Sequence, residues 1–314
     1  MRKVAGLLLG GGLIGGAFLI AELWHRNIES DVRLIFDQPG RGFSTQPGTH
    51  GTNLEGFYEA DLPAGRNAAV QRVVVLGDSV TWGLGAKEEA WPHVMEQNLN
   101  QILPGKPFQV LNFSHYGYDV AAVRAVWEHV AVRYRPDWVI YGMYTNDVVP
   151  NSVIYIGDSS YPIWIGQTPV LPGWLHTNSA LLRRLEGAYM VRGITEKPDW
   201  DWFERELRML ATSVEQAGVR FGVVALPPHV LAGAVCEGES GWCERQGAIV
   251  ARQQEIAAGL GVPVLSGLDV WNLSGEEAFY GPNRQDLDHP SVEGARLMGE
   301  GAARWLSEQL SLNQ

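Results

Sequence analysis

Val73-Val74-Val75-Leu76-Gly77-Asp78-Ser79-Val80-Thr81-Trp82-Gly83-Leu84-Gly85 is the stretch on which the fold turns. Its first four residues are apolar with no polar alternation, the pattern of a strand buried on both faces in a parallel sheet. Gly77 closes the run, and the small and polar residues after it read as a turn at the carboxyl edge of the sheet. Ligands bind at that edge in open α/β folds, so Ser79 is placed where a hydroxyl can face a cleft.

Outward from this stretch, short apolar runs recur at Phe108 to Phe113, Trp138 to Tyr144, Phe221 to Leu226 and Val262 to Leu265. Helical periodicities lie between them. Val120, Val123, Trp127 and Val130 are spaced 3-4-3 behind Asp119 as an N-cap, and Phe203, Leu207, Leu210 and Val214 repeat at 4-3-4 and stop before Gly218. Val292, Ala295, Met298, Ala302 and Trp305 mark a last amphipathic helix. Five strands alternating with helices imply βαβ crossovers, hence an α/β three-layer sandwich with a five-stranded parallel sheet. The interval from about 148 to 200 breaks the rhythm. It carries Trp164, Trp174 and Trp200 among prolines and glycines and reads as an insertion over one end of the sheet.

A serine is a poor nucleophile unless a base lies within hydrogen-bond reach and a third group orients that base. The chain offers a pair near its other end, in Asp286-Leu287-Asp288-His289-Pro290-Ser291. Asp286 and His289 stand three apart just before the last helix, where Pro290 fits a helix start. Asp288 is the rival to Asp286 as orienter. Asp286, Asp288 and His289 together also have the donor types of a divalent-metal site, a reading disfavoured beside a motif serine. His115 is expected to be a polar loop residue rather than a base. Taken alone, Asp78 and Ser79 would be ordinary turn formers after a strand.

On these residues the chain resembles the SGNH hydrolases, also called the GDSL esterase/lipase family, over about residues 70 to 310. Gly77-Asp78-Ser79 with Thr81 and Gly83 matches the first family block, and Asp286-x-x-His289 the last. Gly117, within Asn112-Phe113-Ser114-His115-Tyr116-Gly117, is placed like the second-block glycine, and Tyr144-Thr145-Asn146-Asp147 resembles the third block. The resemblance implies a flavodoxin-like SGNH hydrolase fold and a Ser79, His289, Asp286 triad. It further implies an oxyanion hole made of the Ser79 and Gly117 backbone N–H groups and the Asn146 side-chain amide, with no metal or organic cofactor. Two positions depart from the family pattern: Tyr144 stands where the third block usually has glycine, and Ser114 where glycine is frequent. Asn53-Leu54-Glu55-Gly56-Phe57 is similar to the segment preceding the catalytic domain in membrane-anchored bacterial members. The implied activity is hydrolysis of carboxylic or O-acetyl esters, on cell-envelope glycan or lipid. An envelope polysaccharide O-acyltransferase and a tethered binding module without turnover are the alternatives.

The 314 residues carry 24 Lys plus Arg against 35 Asp plus Glu, a net charge of −11. That balance argues against nucleic acid as a partner, because its affinity comes from phosphate neutralisation. With 46% hydrophobic and 19% charged residues the chain is an ordinary globular composition. The amino terminus departs from it. Arg2 and Lys3 precede an uncharged run of 18 residues from Val4 to Ala21, closed by Glu22, His25 and Arg26. At 1.5 Å per residue this is near the minimum for crossing about 30 Å of hydrocarbon, so residues 1–26 read as a transmembrane signal anchor. A cleaved signal peptide, with Gly15 and Ala17 at the cleavage spacing, is the alternative. Either reading exports the rest of the chain to the periplasmic or extracellular side. Residues 27–70, rich in Gly, Pro, Asn and Thr, read as an irregular lead-in, a spacer or a wrap-around arm, before a catalytic domain over 71–314. Cys236 and Cys243, the two cysteines, lie in a polar stretch and are expected to close a short disulfide, with two free thiols as the alternative. Trp, with 12 residues, outnumbers Tyr and Phe; cleft stacking on a sugar ring or acyl chain, core filling and membrane-interface placement are all open to it.

Overall fold

The computed structural model describes residues 15–27, 34–36, 41–49, 51–61, 67–83, 85–150, 153–156, 161–164, 178–191, 197–228, 240–271 and 289–312. It divides into two compact units. The smaller comprises Met1–Gln38, Gly42–Gln46 and Asn151–Glu196; the larger comprises Pro39–Arg41, Pro47–Pro150 and Lys197–Gln314.

In the larger unit, strands β1 (Gln71–Gly77), β2 (Phe108–Asn112), β3 (Trp138–Met143), β4 (Arg220–Ala225) and β5 (Val264–Ser266) form one sheet in the order β2-β1-β3-β4-β5. Every neighbouring pair is parallel, and the register sets Val75 beside Ile140 and Gly77 beside Gly142. This is the expected five-stranded α/β sandwich of flavodoxin-like order. The helices are α1 (Ser79–Trp82), α2 (Trp91–Ile102), α3 (Val120–His129), α4 (Trp200–Gln216), α5 (Ser240–Gly259), α6 (Gly267–Trp271) and α7 (Val292–Ser311). Alternation along the strands divides the core. Val73, Val75, Val110, Ile140 and Val224 pack with Trp91, Met95 and Leu99 of α2 and Met298, Ala302 and Leu306 of α7. Helices α3 and α4 pack together, tied by Trp127 Nε1 donating to Ser213 Oγ at 3.0 Å and by Arg124, which bonds Glu206 and Glu128.

Caps fall where side-chain chemistry puts them. Asp119 accepts from the Ala122 N–H at 2.9 Å to start α3, and Ser291 accepts from the Gly294 N–H to start α7. Within α7 the apolar stripe is buried at Ala295, Met298, Ala302 and Trp305, whereas Val292 is exposed at the helix start. Helix α2 was not legible as an element: its apolar residues follow helical spacing, but Asn98, Asn100 and the two flanking apolar positions blur the stripe.

Among the described residues no strand lies beside the outer edge of β2, and its N–H groups at alternate residues are closed by side chains. Phe108 donates to Asn100 Oδ1 at 2.8 Å, Val110 to Glu96 Oε2 at 2.5 Å and Asn112 to Glu59 Oε2 at 2.8 Å. Glu59 arrives on the lead-in. Residues 47–61 therefore behave as a wrap-around arm: Asn53 Oδ1 accepts from the Glu55 and Phe57 amides, and the buried Phe57 ring packs on Phe113. An edge so covered offers no template for another strand. Burial pushes the Glu59 and Glu96 carboxyls above the ordinary glutamate value, the amides of Asn112 and Ala60, and of Val110, pulling the other way. Raised folded values mean that folding favours the protonated forms. That contribution is complete at low pH and is lost as pH rises through the raised values. Glu59→Gln, which keeps an oxygen for the Asn112 amide, is thus expected to flatten the fall in Tm as pH rises above the ordinary glutamate range. A slope as steep as that of the unsubstituted protein would count against this account.

The smaller unit holds a helix over residues 15–27, a hairpin pairing Leu34–Phe36 with Phe43–Thr45, a second pairing Val153–Ile156 with Tyr161–Trp164, and the helix Ala180–Val191. Two sequence expectations change here. The lead-in is not irregular throughout, since three-residue strands are too short to leave a periodicity. The insertion narrows to residues 151–196 and groups with the amino-terminal segment. Among the described residues no helix is long and apolar enough to cross a membrane. Most of the expected anchor, residues 1–14, lies outside them, as do Asp286, Asp288 and Cys236. Cys243 falls in α5 rather than in a loop.

Candidate active site

Strand β1 is buried along nearly its whole length and ends at Gly77. Asp78 then caps α1 with its own carboxylate, accepting from the Val80 N–H at 2.9 Å, and Ser79 is the first residue of the helix. The turn is tight because it packs on bare backbone. A methyl group added at Gly77 would stand 2.8 Å from Thr81 Cβ, and one added at Gly142, its partner on β3, would overlap the Thr81 hydroxyl. Thr81 Oγ1 itself is buried without a hydrogen-bond partner. Glycine at both positions thus lets α1 sit down on the sheet with Ser79 at its edge.

His289 lies two residues before the Ser291 cap of α7, and its Nε2 is 2.8 Å from Ser79 Oγ. Residues 210 positions apart in sequence are brought into contact, both half-buried. The distance is that of a hydrogen bond through which an imidazole can take a hydroxyl proton. Asp286, expected as orienter, and Asp288, its rival, lie outside the described residues.

The two further donors expected from the sequence follow the strands on either side of β1, Gly117 after β2 and Asn146 after β3. Gly117 adopts φ 74°, a left-handed conformation that favours glycine, in the turn where the Tyr118 N–H bonds the His115 carbonyl. Asn146 is exposed in the one-turn helix Thr145–Val148 after β3. The tyrosine that replaces the family glycine is readily accommodated: Tyr144 has extended backbone, φ −122° and ψ 166°, and its ring is buried in the core. Its N–H donates to Asp147 Oδ2 at 2.7 Å, and its carbonyl accepts from Gln253 Nε2 of α5 at 2.7 Å. The segment carrying Asn146 is thereby fixed on both sides. Burial, and next the Asp78 carboxylate, hold the Asp147 carboxyl well above the ordinary aspartate value.

Gln253 and Asn112 are positioning residues that the sequence did not single out. Asn112 Nδ2 donates to the Thr81 carbonyl at 3.1 Å and its Oδ1 accepts from the Ser114 N–H, so the end of β2 ties α1 to the Gly117 segment. A polar residue closing a buried strand was the available signal for Asn112. A glutamine in a long helix offers none. Ser114, where the family often has glycine, is fully buried, and its hydroxyl has no hydrogen-bond partner among the described residues. His115 lies in the loop after β2, as expected, but not on the surface. It is buried, stacked on Tyr118 at 4.8 Å, with Nδ1 3.0 Å from the Tyr116 carbonyl, and burial lowers its pKa to about 4. It stays neutral and packs.

Half-buried aromatic rings flank the Ser79 turn. Trp82, three residues after Ser79 on α1, meets Tyr58 of the arm at 5.4 Å and Tyr116, the neighbour of Gly117, at 5.6 Å. Most of the other described tryptophans fill the core, among them Trp91, Trp127 and Trp271.

Doubly wound α/β enzymes carry their chemistry at the carboxyl edge of the sheet, and the serine–imidazole contact at that edge puts the chain among the hydrolases of this fold. More narrowly, it belongs to the GDSL-like lipase/acylhydrolase family, whose profile matches residues 75–297, and it is an ester-hydrolysing enzyme. Solved structures of similar fold include LAE5, an alpha/beta hydrolase from the metagenome of Lake Arreo, Spain, at 14% identity, 77% of this chain, 97% of that chain and TM-score 0.52. Another is a catalytic mutant of Axe2, an acetylxylan esterase from Geobacillus stearothermophilus, at 17% identity, 75% and 94% coverage and TM-score 0.49. At 14% identity the likeness to LAE5 is one of fold. Among curated proteins none matches the chain.

Proposed function

We propose that this chain is a serine esterase of the cell envelope that cleaves carboxylic or O-acetyl esters of glycan or lipid through an acyl-enzyme. The observation that carries the reading is the 2.8 Å contact between Ser79 Oγ and His289 Nε2. His289 takes the Ser79 proton as Oγ bonds to the ester carbonyl carbon, and Asp286 orients the imidazole and stabilises its cation. The carbonyl oxygen, now an anion, is held by the N–H groups of Ser79 and Gly117 and by the Asn146 amide. His289 then passes the proton to the departing alkoxide, which leaves as an alcohol. Water repeats the sequence on the acyl-serine, releasing the acid and restoring Ser79. No step calls for a metal or cofactor. Trp82, Tyr116 and Tyr58 supply a wall of apolar faces with polar edges beside the serine, suited to an acyl group or a sugar ring.

A fluorophosphonate probe together with a p-nitrophenyl ester chain-length series tests this reading. Covalent labelling of Ser79 and turnover of at least the acetyl ester support it, and failure of both overturns it. Asn146→Ala removes one oxyanion donor from an exposed position outside the core. It is expected to lower kcat by about 10²- to 10³-fold while leaving slow turnover and probe labelling. Unchanged kcat would remove Asn146 from the oxyanion hole.

A further inference from the structure

The helix over residues 15–27 has its polarity inverted. Its buried side chains are Glu22 and His25, whereas Phe18, Leu19, Ile20, Leu23 and Trp24 are exposed, Ile20 at 71% and Trp24 at 61%. A helix on a water-facing surface does the reverse. Glu22 is held by four donors. Its carboxylate accepts from Ser179 Oγ at 2.7 Å, from the Ala180 and Leu181 N–H groups at 3.0 Å each, and from Arg26 Nε at 2.7 Å. Ser179 Oγ in turn accepts from the Leu182 N–H at 3.2 Å, and Arg26 Nη2 donates to the Asn178 carbonyl. Glu22 thus shares with Ser179 the capping of the helix Ala180–Val191 from a distant segment, satisfying amides that begin that helix without an intrahelical partner.

We infer that the bilayer covers the outer face of residues 15–27, and that Glu22 clamps this membrane helix to Ala180–Val191, making the 151–196 insertion the seat of the anchor at the membrane surface. Three facts commit the outer face to lipid. In sequence the exposed residues continue an uncharged run of 18 residues from Val4 to Ala21, a length that spans about 27 Å of hydrocarbon at 1.5 Å per residue. The run stops where Glu22, His25 and Arg26 begin, with Trp24 beside them at the level favoured by interfacial tryptophans. Leu185, one turn into the capped helix, is itself exposed. An anchor of this construction is not a loose leash: a carboxylate in place of the next apolar residue ends the span and locks it to folded protein. This inference stands on the smaller unit alone and survives whatever the esterase reading does.

The test places a photoreactive benzoylphenylalanine at Leu23 or Leu185 in the full chain, reconstituted in phosphatidylethanolamine–phosphatidylglycerol vesicles. Lipid adducts are expected at both positions. Glu22→Ala should lower the Leu185 adduct by about fivefold, the worth of a helix cap, while sparing Leu23. Should Glu22→Ala not accumulate, Ser179→Ala carries the same comparison with a smaller loss. Chain-to-chain adducts at Leu23 in place of lipid, no lipid adduct at Leu185, or a Leu185 adduct indifferent to both variants would each overturn the inference.

Discussion

Ser79→Ala is expected to reduce hydrolysis of p-nitrophenyl acetate by at least about 10⁴-fold and to abolish fluorophosphonate labelling, with Tm unchanged. The chemistry is lost because Oγ is the only atom removed and it is the one 2.8 Å from His289 Nε2. The fold is spared because Ser79 is the first residue of α1, where alanine is a good helix former, and the cap is made by Asp78. His289→Ala should cost about as much. The double variant should be no slower than either single one, because the two groups act as a unit and what remains comes from binding and the oxyanion donors. Additive losses would mean that Ser79 and His289 contribute separately, and a Ser79→Ala enzyme retaining a tenth of its activity would refute the nucleophile outright.

Some of this was readable from residues in order. The buried strands announce themselves by apolar runs: Trp138–Met143 is buried at every position, and such a run has no other comfortable place than the middle of a parallel sheet. Asp119 as cap and Gly218 just beyond α4 at φ 71° were legible because each rests on local backbone chemistry. The Ser79–His289 contact spans most of the chain, and it was legible only because two short motifs each carried a chemical demand that the other could meet. What escaped depends on tertiary placement. Gln253 reaches the Tyr144 carbonyl from a helix more than a hundred residues away, and nothing in its neighbours says so. Glu59 looked like one more lead-in carboxylate until β2 gave it an edge to cover. His115 looked polar, yet its ring is spent on stacking. The link between residues 151–196 and the amino terminus runs through Glu22 and Arg26, whose sequence context suggests only the end of an apolar run.

Gly142→Ala is expected to lower stability by about 3 kcal/mol and Tm by about 6–12 °C. Gly142 lies in the central strand β3, and a Cβ there would overlap Thr81 Oγ1 and stand 3.2 Å from both Thr81 Cβ and the Trp91 ring. The sheet cannot yield, since β3 is bonded on both sides. The strain must therefore go into α1, and with it into the placing of Ser79 against His289. We expect kcat to fall together with Tm, which loss of stability alone would not produce in assays run well below the transition. Thr81→Ala separates the causes. On its own it removes a buried hydroxyl that has no hydrogen-bond partner, so its cost should stay near that of a lost methyl, about 1 kcal/mol. Combined with Gly142→Ala it deletes the atom in collision and leaves only the 3.2 Å contacts, which side chains relieve by moving a few tenths of an ångström. The double variant should therefore be more stable than Gly142→Ala alone, with a favourable coupling of at least about 1.5 kcal/mol, and should recover kcat. Additive destabilisation in this cycle would show that Gly142 is required for a reason other than the seating of α1, and that the glycine pair does not set the position of Ser79.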